Sequence, residues 1–186
     1  MKSNNTHSDI IAFFAGACLF FATLEYLIPK PFPFFRVGFA NIPILLTISV
    51  FRVRDVFLLA VLKTCGQAII HGTLLSYVFL FSAIGTMSST IVMYLAALPL
   101  RVDFTQAPIS LVGVSVLGAL ASNAAQVMCA ALFIFGASAW VLFTPFLFFG
   151  TASGIFVGVL AENLQKNAVI KKLYHEYLSS KFFSAI

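Results

Sequence analysis

The chain has 186 residues, of which 61% are hydrophobic and 9% are charged, and its mean hydropathy is +1.03. Soluble domains contain about a quarter charged residues, and this composition would expose large apolar patches to water, so a soluble protein is excluded. The net charge of +5 does not indicate nucleic-acid binding, because the basic residues lie at the ends of apolar segments and form no single patch. The composition is typical of an integral membrane protein.

Apolar segments separated by charged residues, prolines and glycines predict six helices in a single domain, residues 1–186. No Asp, Glu, Lys or Arg occurs at residues 64–100 or 104–161, and one apolar crossing requires about 20 residues. The pattern predicts an all-α membrane protein, a compact bundle of six transmembrane helices at about 9–28, 38–51, 56–70, 74–98, 109–135 and 139–160, with a polar tail at 162–186. The second and third helices, at roughly 15 residues, span only about 22 Å, which indicates tilted or partly re-entrant segments.

The distribution of lysine and arginine predicts how these helices are oriented. Cytoplasmic loops are enriched in both residues, and six crossings place the two termini on the same side. The richer side carries most of the basic residues: Lys2, Arg52, Arg54, Arg101, Lys166, Lys171, Lys172 and Lys181. The other side carries Lys30 and Arg36. We therefore expect a protein of the cell membrane with both termini cytoplasmic.

The sequence contains no motif for catalysis, metal binding or cofactor binding. The GxSxG, HExxH and P-loop patterns are missing. The cysteines form no CxxC pair and lie in apolar runs, where packing explains them: Cys18, Cys65 and Cys129. The aspartates are too scattered to hold a magnesium–diphosphate complex: Asp9, Asp55 and Asp103. We expect a protein that is not an enzyme and that uses no cofactor.

Lys63 lies near the middle of the third predicted helix, where an ionisable side chain is costly and indicates a functional site. Gln67 and His71 follow at intervals of four residues, so all three are expected on one helical face. A buried ammonium needs an anionic partner, which is either a ligand or Glu25, one turn from the end of the first helix. The pattern indicates a ligand-binding stripe or a structural Lys63–Glu25 pair.

The fifth predicted helix has a second polar face. Its members are Ser115, Ser122, Asn123 and Gln126. These side chains are candidates for ligand binding, and the alternative is that the two amides bond to a neighbouring helix.

The residues before the second helix are also candidates for ligand binding. Arg36 and Asn41 lie where the free N–H groups and the dipole of a helix favour an anion. Tyr77 and the phenylalanines of the loop at residues 29–35 would form an aromatic wall or cover over a ligand. Their alternative role is an aromatic belt at the membrane interface.

Small residues recur at every fourth position on three predicted helices, which permits close approach of helix backbones. They are Gly150, Gly154 and Gly158 on the sixth helix, Gly118 and Ser122 on the fifth, and Ala12 and Gly16 on the first. Such rows serve packing within the bundle or docking of another membrane subunit, and Ala12 and Gly16 are the better candidates for docking.

Three regions resemble one family of small membrane proteins. Residues 34–42, FFRVGFANI, are similar to the R-x-G-x-A-N start of the proteins named heptaprenyl diphosphate synthase component I, also called the Gx transporter family. The resemblance continues through residues 72–85 and 109–126 and covers roughly residues 30–160. The family itself looks like the S components of energy-coupling factor transporters. That likeness implies a six-helix fold, a ligand site in the outer half beneath the loop between the first two helices, and small residues on the first helix that meet a transmembrane T subunit driven by two ATPases.

The leading hypothesis is a substrate-binding membrane subunit for uptake of a small anionic or polar-aromatic nutrient. Its expected site residues are Arg36, Asn41, Lys63, Gln67, His71, Asn123 and Gln126, with Glu25 and Tyr77 beside them. The alternative is a non-catalytic accessory subunit of a heptaprenyl diphosphate synthase. A third hypothesis is a transporter that works alone by ion coupling, since the chain carries no ATPase motif.

Overall fold

The protein is described by a computed structural model that covers residues 2–27, 38–102 and 108–183. Every secondary-structure element in these ranges is helical. The α-helices are α1 (Lys2–Leu27), α2 (Ile42–Thr47), α3 (Val53–Ile70), α4 (Tyr77–Ala96), α5 (Leu98–Val102), α6 (Leu111–Ala130), α7 (Phe143–Gln165) and α8 (Ala168–Phe183). Tighter or wider helical turns occur at Phe39–Asn41, Ala131–Phe135 and Gly136–Leu142.

Four segments of the described chain are long and apolar enough to cross a membrane: His7–Glu25, Tyr77–Ala96, Leu111–Phe135 and Phe143–Gln165. The predicted all-helical membrane fold is confirmed at this level. The count of six crossings and the orientation of the termini stay predictions.

The second predicted helix is shorter than the sequence suggests. Gly38 has φ +88°, in the left-handed region where glycine is favoured, and the chain turns again after Thr47. Every residue of α2 is buried, and α2 contacts α1, α3, α6 and α7. Because protein surrounds it on all these sides, this short segment can interrupt regular helix without presenting backbone polar groups to lipid.

The predicted polar tail is helical and docks on the bundle. Tyr177 of α8 is fully buried, and its ring stacks on Phe51 with the centroids 3.9 Å apart. Its hydroxyl donates to Asp55 Oδ2 at 2.5 Å and accepts from the N–H of Arg52 at 3.0 Å. Burial and the bond to Asp55 raise the pKa of Tyr177 to about 12, so the hydroxyl keeps the proton it donates. These contacts fix α8 across one end of the bundle.

Basic residues collect at that same end. Tyr174 of α8 donates to the carbonyl oxygen of Leu46 at 2.6 Å, and Arg101 donates to Tyr94 Oη and to the carbonyl oxygen of Phe51. Two cavities open here. We call this region the basic end and define it by the basic residues that line those cavities: Arg52, Arg54, Arg101, Lys166 and Lys171.

The glycine row of α7 serves packing inside the bundle. A Cβ atom at Gly154 would lie 2.8 Å from Val116 Cα, and one at Gly158 would lie 2.5 Å from Val112 Cα, so the backbones of α6 and α7 are in contact. On α1 the situation is the opposite. Gly16 is exposed, and no atom outside α1 lies within 4 Å of the position a Cβ would take. The row on α1 therefore has no packing role among the described residues.

We expect Gly158→Ala to lower the melting temperature of the purified protein in detergent. The added methyl group would overlap the backbone of α6, and overpacking of this kind costs about 1–3 kcal/mol. Gly16→Ala is the matched control, since its methyl group meets nothing and alanine favours a helix over glycine by about 1 kcal/mol. An equal loss of stability in both variants would contradict the close contact between α6 and α7.

Candidate functional site

A polar cavity lies inside the apolar bundle. Its volume is about 50 Å³, which is enough for a few water molecules. Its polar lining comes from α1, α3, α4, α6, α7 and the turn before α2: Glu25, Asn41, Lys63, Gln67, Ser82, Thr86, Ser115, Ser122, Asn123, Gln126 and Ser153. A polar site enclosed by apolar helices is costly to build, which makes this cavity the candidate functional site.

Charged side chains from α1 and α3 face the cavity on one wall. Lys63 is 4% exposed and Glu25 is 6% exposed. The Lys63 Nζ donates a hydrogen bond to Asn41 Oδ1, and Glu25 Oε1 accepts one from the N–H of Gly38 at 3.1 Å. The turn before α2 thus supplies an acceptor for the cation and a donor for the carboxylate. Hydrogen bonds of this kind make two buried charges tolerable.

The local sequence explains why this turn can reach both charges. Gly38 adopts its positive φ without strain, and Asn41 follows as the residue that caps α2. Lys63 lies in the middle of α3, opposite that cap. α2 is only six residues long, and all of its residues are buried. Its first turn therefore lies inside the bundle, and the hydrogen bond from Lys63 to Asn41 places it next to Lys63.

The opposite wall carries the amide side chains of α6. Asn123 Nδ2 donates to the carbonyl oxygen of Phe146 on α7 at 2.8 Å, and Gln126 Nε2 donates to Ser122 Oγ at 2.9 Å. Both amides are buried and line the cavity. Asn123 therefore bonds across to a neighbouring helix; it also lines the cavity, and its role in ligand binding stays a prediction.

Gln67 shows a hydrogen-bonding deficit at the cavity. Its Oε1 is buried and accepts no hydrogen bond from the described residues. Most buried polar atoms in proteins have a partner, and one that lacks it calls for an explanation such as an unseen ligand or water. Gln67 also lies one helical turn beyond Lys63 on α3, so its free acceptor lies beside the cation.

The structure brings together six of the predicted site residues: Glu25, Asn41, Lys63, Gln67, Asn123 and Gln126. His71 and Tyr77 do not line the cavity. His71 is the residue that ends α3, and Tyr77 is 61% exposed at the start of α4. Arg36 and the loop at residues 29–35 lie outside the described residues.

The sequence interpretation missed the contribution of α4. Ser82 and Thr86 line the cavity, and they lie four residues apart on an otherwise apolar helix. That spacing puts them on one helical face, so the signal was present. Serine and threonine are common in membrane helices as packing residues, which is why the pair does not stand out.

A sequence model of the family described as heptaprenyl diphosphate synthase component I matches residues 14–164. This chain belongs to that family. The matched region contains all the residues that line the cavity and ends before α8. Neither the curated proteins nor the solved structures include a match.

We expect Gln67→Met to leave the ligand-free protein as stable as wild type or to raise its stability by about 1 kcal/mol. The substitution removes a buried acceptor that has no partner, and such an atom carries a desolvation cost. Gln126→Met is the matched control, which should lose about 1 kcal/mol because it breaks the bond to Ser122. Melting temperatures in the same detergent provide the comparison. A similar loss in both variants would show that Gln67 has a structural partner.

Proposed function

We propose that this protein is the substrate-binding subunit of a transporter of the energy-coupling factor type. In this proposal it crosses the cell membrane six times, with both termini cytoplasmic, and it is not an enzyme. The observation that supports it best is the buried polar cavity built around Lys63 and Asn41. A cavity inside a protein on which polar groups converge is the usual candidate for a small-molecule site.

The residues of the cavity favour a small anionic or polar-aromatic substrate. Lys63 offers a cation, and Gln67, Asn123 and Gln126 offer amides that both donate and accept. The cavity volume of about 50 Å³ is smaller than the volume of a nutrient molecule. Binding such a molecule therefore requires the cavity to widen. Arg36, His71 and Tyr77 stay predicted substrate-binding residues.

The orientation is supported by the grouping of charge. The basic end contains Arg52, Arg54 and Arg101 together with α8, as the charge bias of cytoplasmic segments requires. The candidate cavity lies further along α3, beyond this end. A site reached from the opposite, outer side is what an importer needs.

The partners of the proposal are a transmembrane T subunit and a pair of ATPases. Ala12 and Gly16 are both exposed on α1, and Phe13 and Phe20 beside them are 50% and 61% exposed. Small exposed residues let another helix approach closely. This face of α1 is therefore the proposed docking surface.

We expect Lys63→Met to abolish binding of the nutrient without unfolding the protein. Thermal stabilisation in detergent is measured across a panel of vitamins and flavins. A ligand that raises the melting temperature of wild type should lose at least about tenfold in affinity for the variant, the effect of one charge-assisted hydrogen bond. The ligand-free variant should stay folded but melt at a lower temperature than wild type, because the side-chain oxygen of the partly buried Asn41 loses its donor. Lys166→Met, at the basic end, is the control, and an unchanged response in Lys63→Met and Gln67→Met would disprove the site.

The family description favours a second candidate function. This is a non-catalytic membrane subunit of a heptaprenyl diphosphate synthase, which would anchor a soluble catalytic chain or handle its lipid product.

Purification from native membrane distinguishes these functions. We expect an ATPase pair and a T-type subunit to co-purify with wild type and to be lost from Gly16→Leu, whose side chain would extend from the docking face and whose Cβ has no described atom outside α1 within 4 Å. A soluble prenyltransferase in their place would support the synthase subunit. Uptake by the purified chain alone in liposomes would support ion coupling instead.

A further inference from the structure

Three arginines from two parts of the chain line one cavity at the basic end. The cavity has a volume of about 650 Å³. Arg52 is the residue that caps α3, Arg54 lies in the first turn of that helix, and Arg101 lies in the last turn of α5. Leu178 of α8 contributes to the same lining. α8 therefore supplies part of the cavity wall, and the cavity is separate from the one at Lys63.

Arg101 is held in place by the protein itself. Its two terminal nitrogens donate to Tyr94 Oη and to the carbonyl oxygen of Phe51, and its guanidinium carbon lies 4.8 Å from the centre of the Tyr94 ring. A guanidinium has more N–H donors than these contacts use. The remaining donors match the geometry of a phosphate group, with little side-chain entropy left to lose.

No described carboxylate neutralises these three arginines. No ion pair joins one of these arginines to a described carboxylate, and the lining of the cavity contains no acidic residue. Asp55, in the first turn of α3, does not line the cavity. Like charges gathered around one concave site create a positive potential that attracts an anion.

The rest of the lining is largely apolar and reaches the surface of the protein. It includes Val50, Phe51, Val53 and Leu178, of which Val53 and Leu178 are 42% and 43% exposed. A cavity with a cationic floor and an apolar exit suits an amphiphile with a phosphate head. Basic pockets at the ends of membrane helices bind lipid head groups in this way.

We propose that this cavity binds the phosphate head group of an anionic membrane phospholipid. Arg52, Arg54 and Arg101 surround the phosphate, and the acyl chains leave past Val53 and Leu178. The lipid would then brace α3, α5 and α8 against one another. This proposal does not depend on what occupies the cavity at Lys63.

Native mass spectrometry of the full chain in detergent tests the proposal. The probes are phosphatidylglycerol, phosphatidylcholine, farnesyl diphosphate and inorganic diphosphate. We expect phosphatidylglycerol to bind more tightly than phosphatidylcholine, and the double variant Arg52→Gln/Arg54→Gln to reduce its affinity roughly tenfold, the factor for one charge-assisted hydrogen bond. Arg54→Gln alone, whose side chain is exposed and forms no ion pair with a described residue, should give part of this loss with an unchanged melting temperature.

The matched control is Lys166→Gln/Lys171→Gln, which removes the same charge from the basic end but from the neighbouring cavity. Its affinity for phosphatidylglycerol should be unchanged. An equal loss in both double variants would reduce the effect to general attraction and overturn the proposal, as would equal binding of phosphatidylcholine. Displacement of phosphatidylglycerol by farnesyl diphosphate or by inorganic diphosphate at lower concentration would overturn the assignment to a phospholipid.

Discussion

The structure depends on how one buried ammonium is satisfied. Lys63 lies on α3 inside an apolar bundle, at 4% exposure, and every polar group in such a place must find its partners within the protein. Its partner is Asn41, which can reach it only because α2 is a short internal segment that begins beside the lysine. The left-handed backbone conformation of Gly38 allows the chain to turn just before Asn41. The N–H of Gly38 also donates a hydrogen bond to Glu25. A single cation therefore explains the broken helix, the turn and the polar wall of the cavity.

The sequence predicts the centre of the site better than its edges. Lys63 is the single charged residue in a long apolar segment, so the scarcity of charge is enough to identify it. Gln67 follows one helical turn later on the same face, so the helical spacing is enough to identify Gln67 as well. His71 follows at eight residues, where a regular helix has rotated by about 80°, and α3 has ended. Lys63 and Gln67 therefore line the cavity, and His71 does not. Tyr77 is predicted at the site because its ring is aromatic. Aromatic character alone does not indicate which way a side chain points.

Long-range contacts are the part that the sequence did not reveal. The tail reads as polar because Tyr174 and Tyr177 are separated by charged and polar neighbours, and nothing local shows that both rings are partly or fully buried. Their partners are the carbonyl oxygen of Leu46 and the carboxylate of Asp55, more than a hundred residues away in the chain. The short α2 is similar. Its apolar residues are compatible with a transmembrane helix. The turns before and after α2 limit its length, and these turns depend on the surrounding packing.

The packing also determines which wall can move. α4, α6 and α7 form one unit, since the backbone of α7 touches that of α6 at Gly154 and Gly158, and Met93 of α4 meets α6 at Gly118. The other wall, α1 to α3, approaches through longer side chains and through the hydrogen bonds at Asn41 and Glu25. A ligand that replaced Asn41 as the partner of Lys63 would loosen this wall and leave the glycine contacts intact. The closest backbone contacts around the cavity are therefore those of α6 with α7, and α1, on the other wall, is also the helix that carries the exposed small residues.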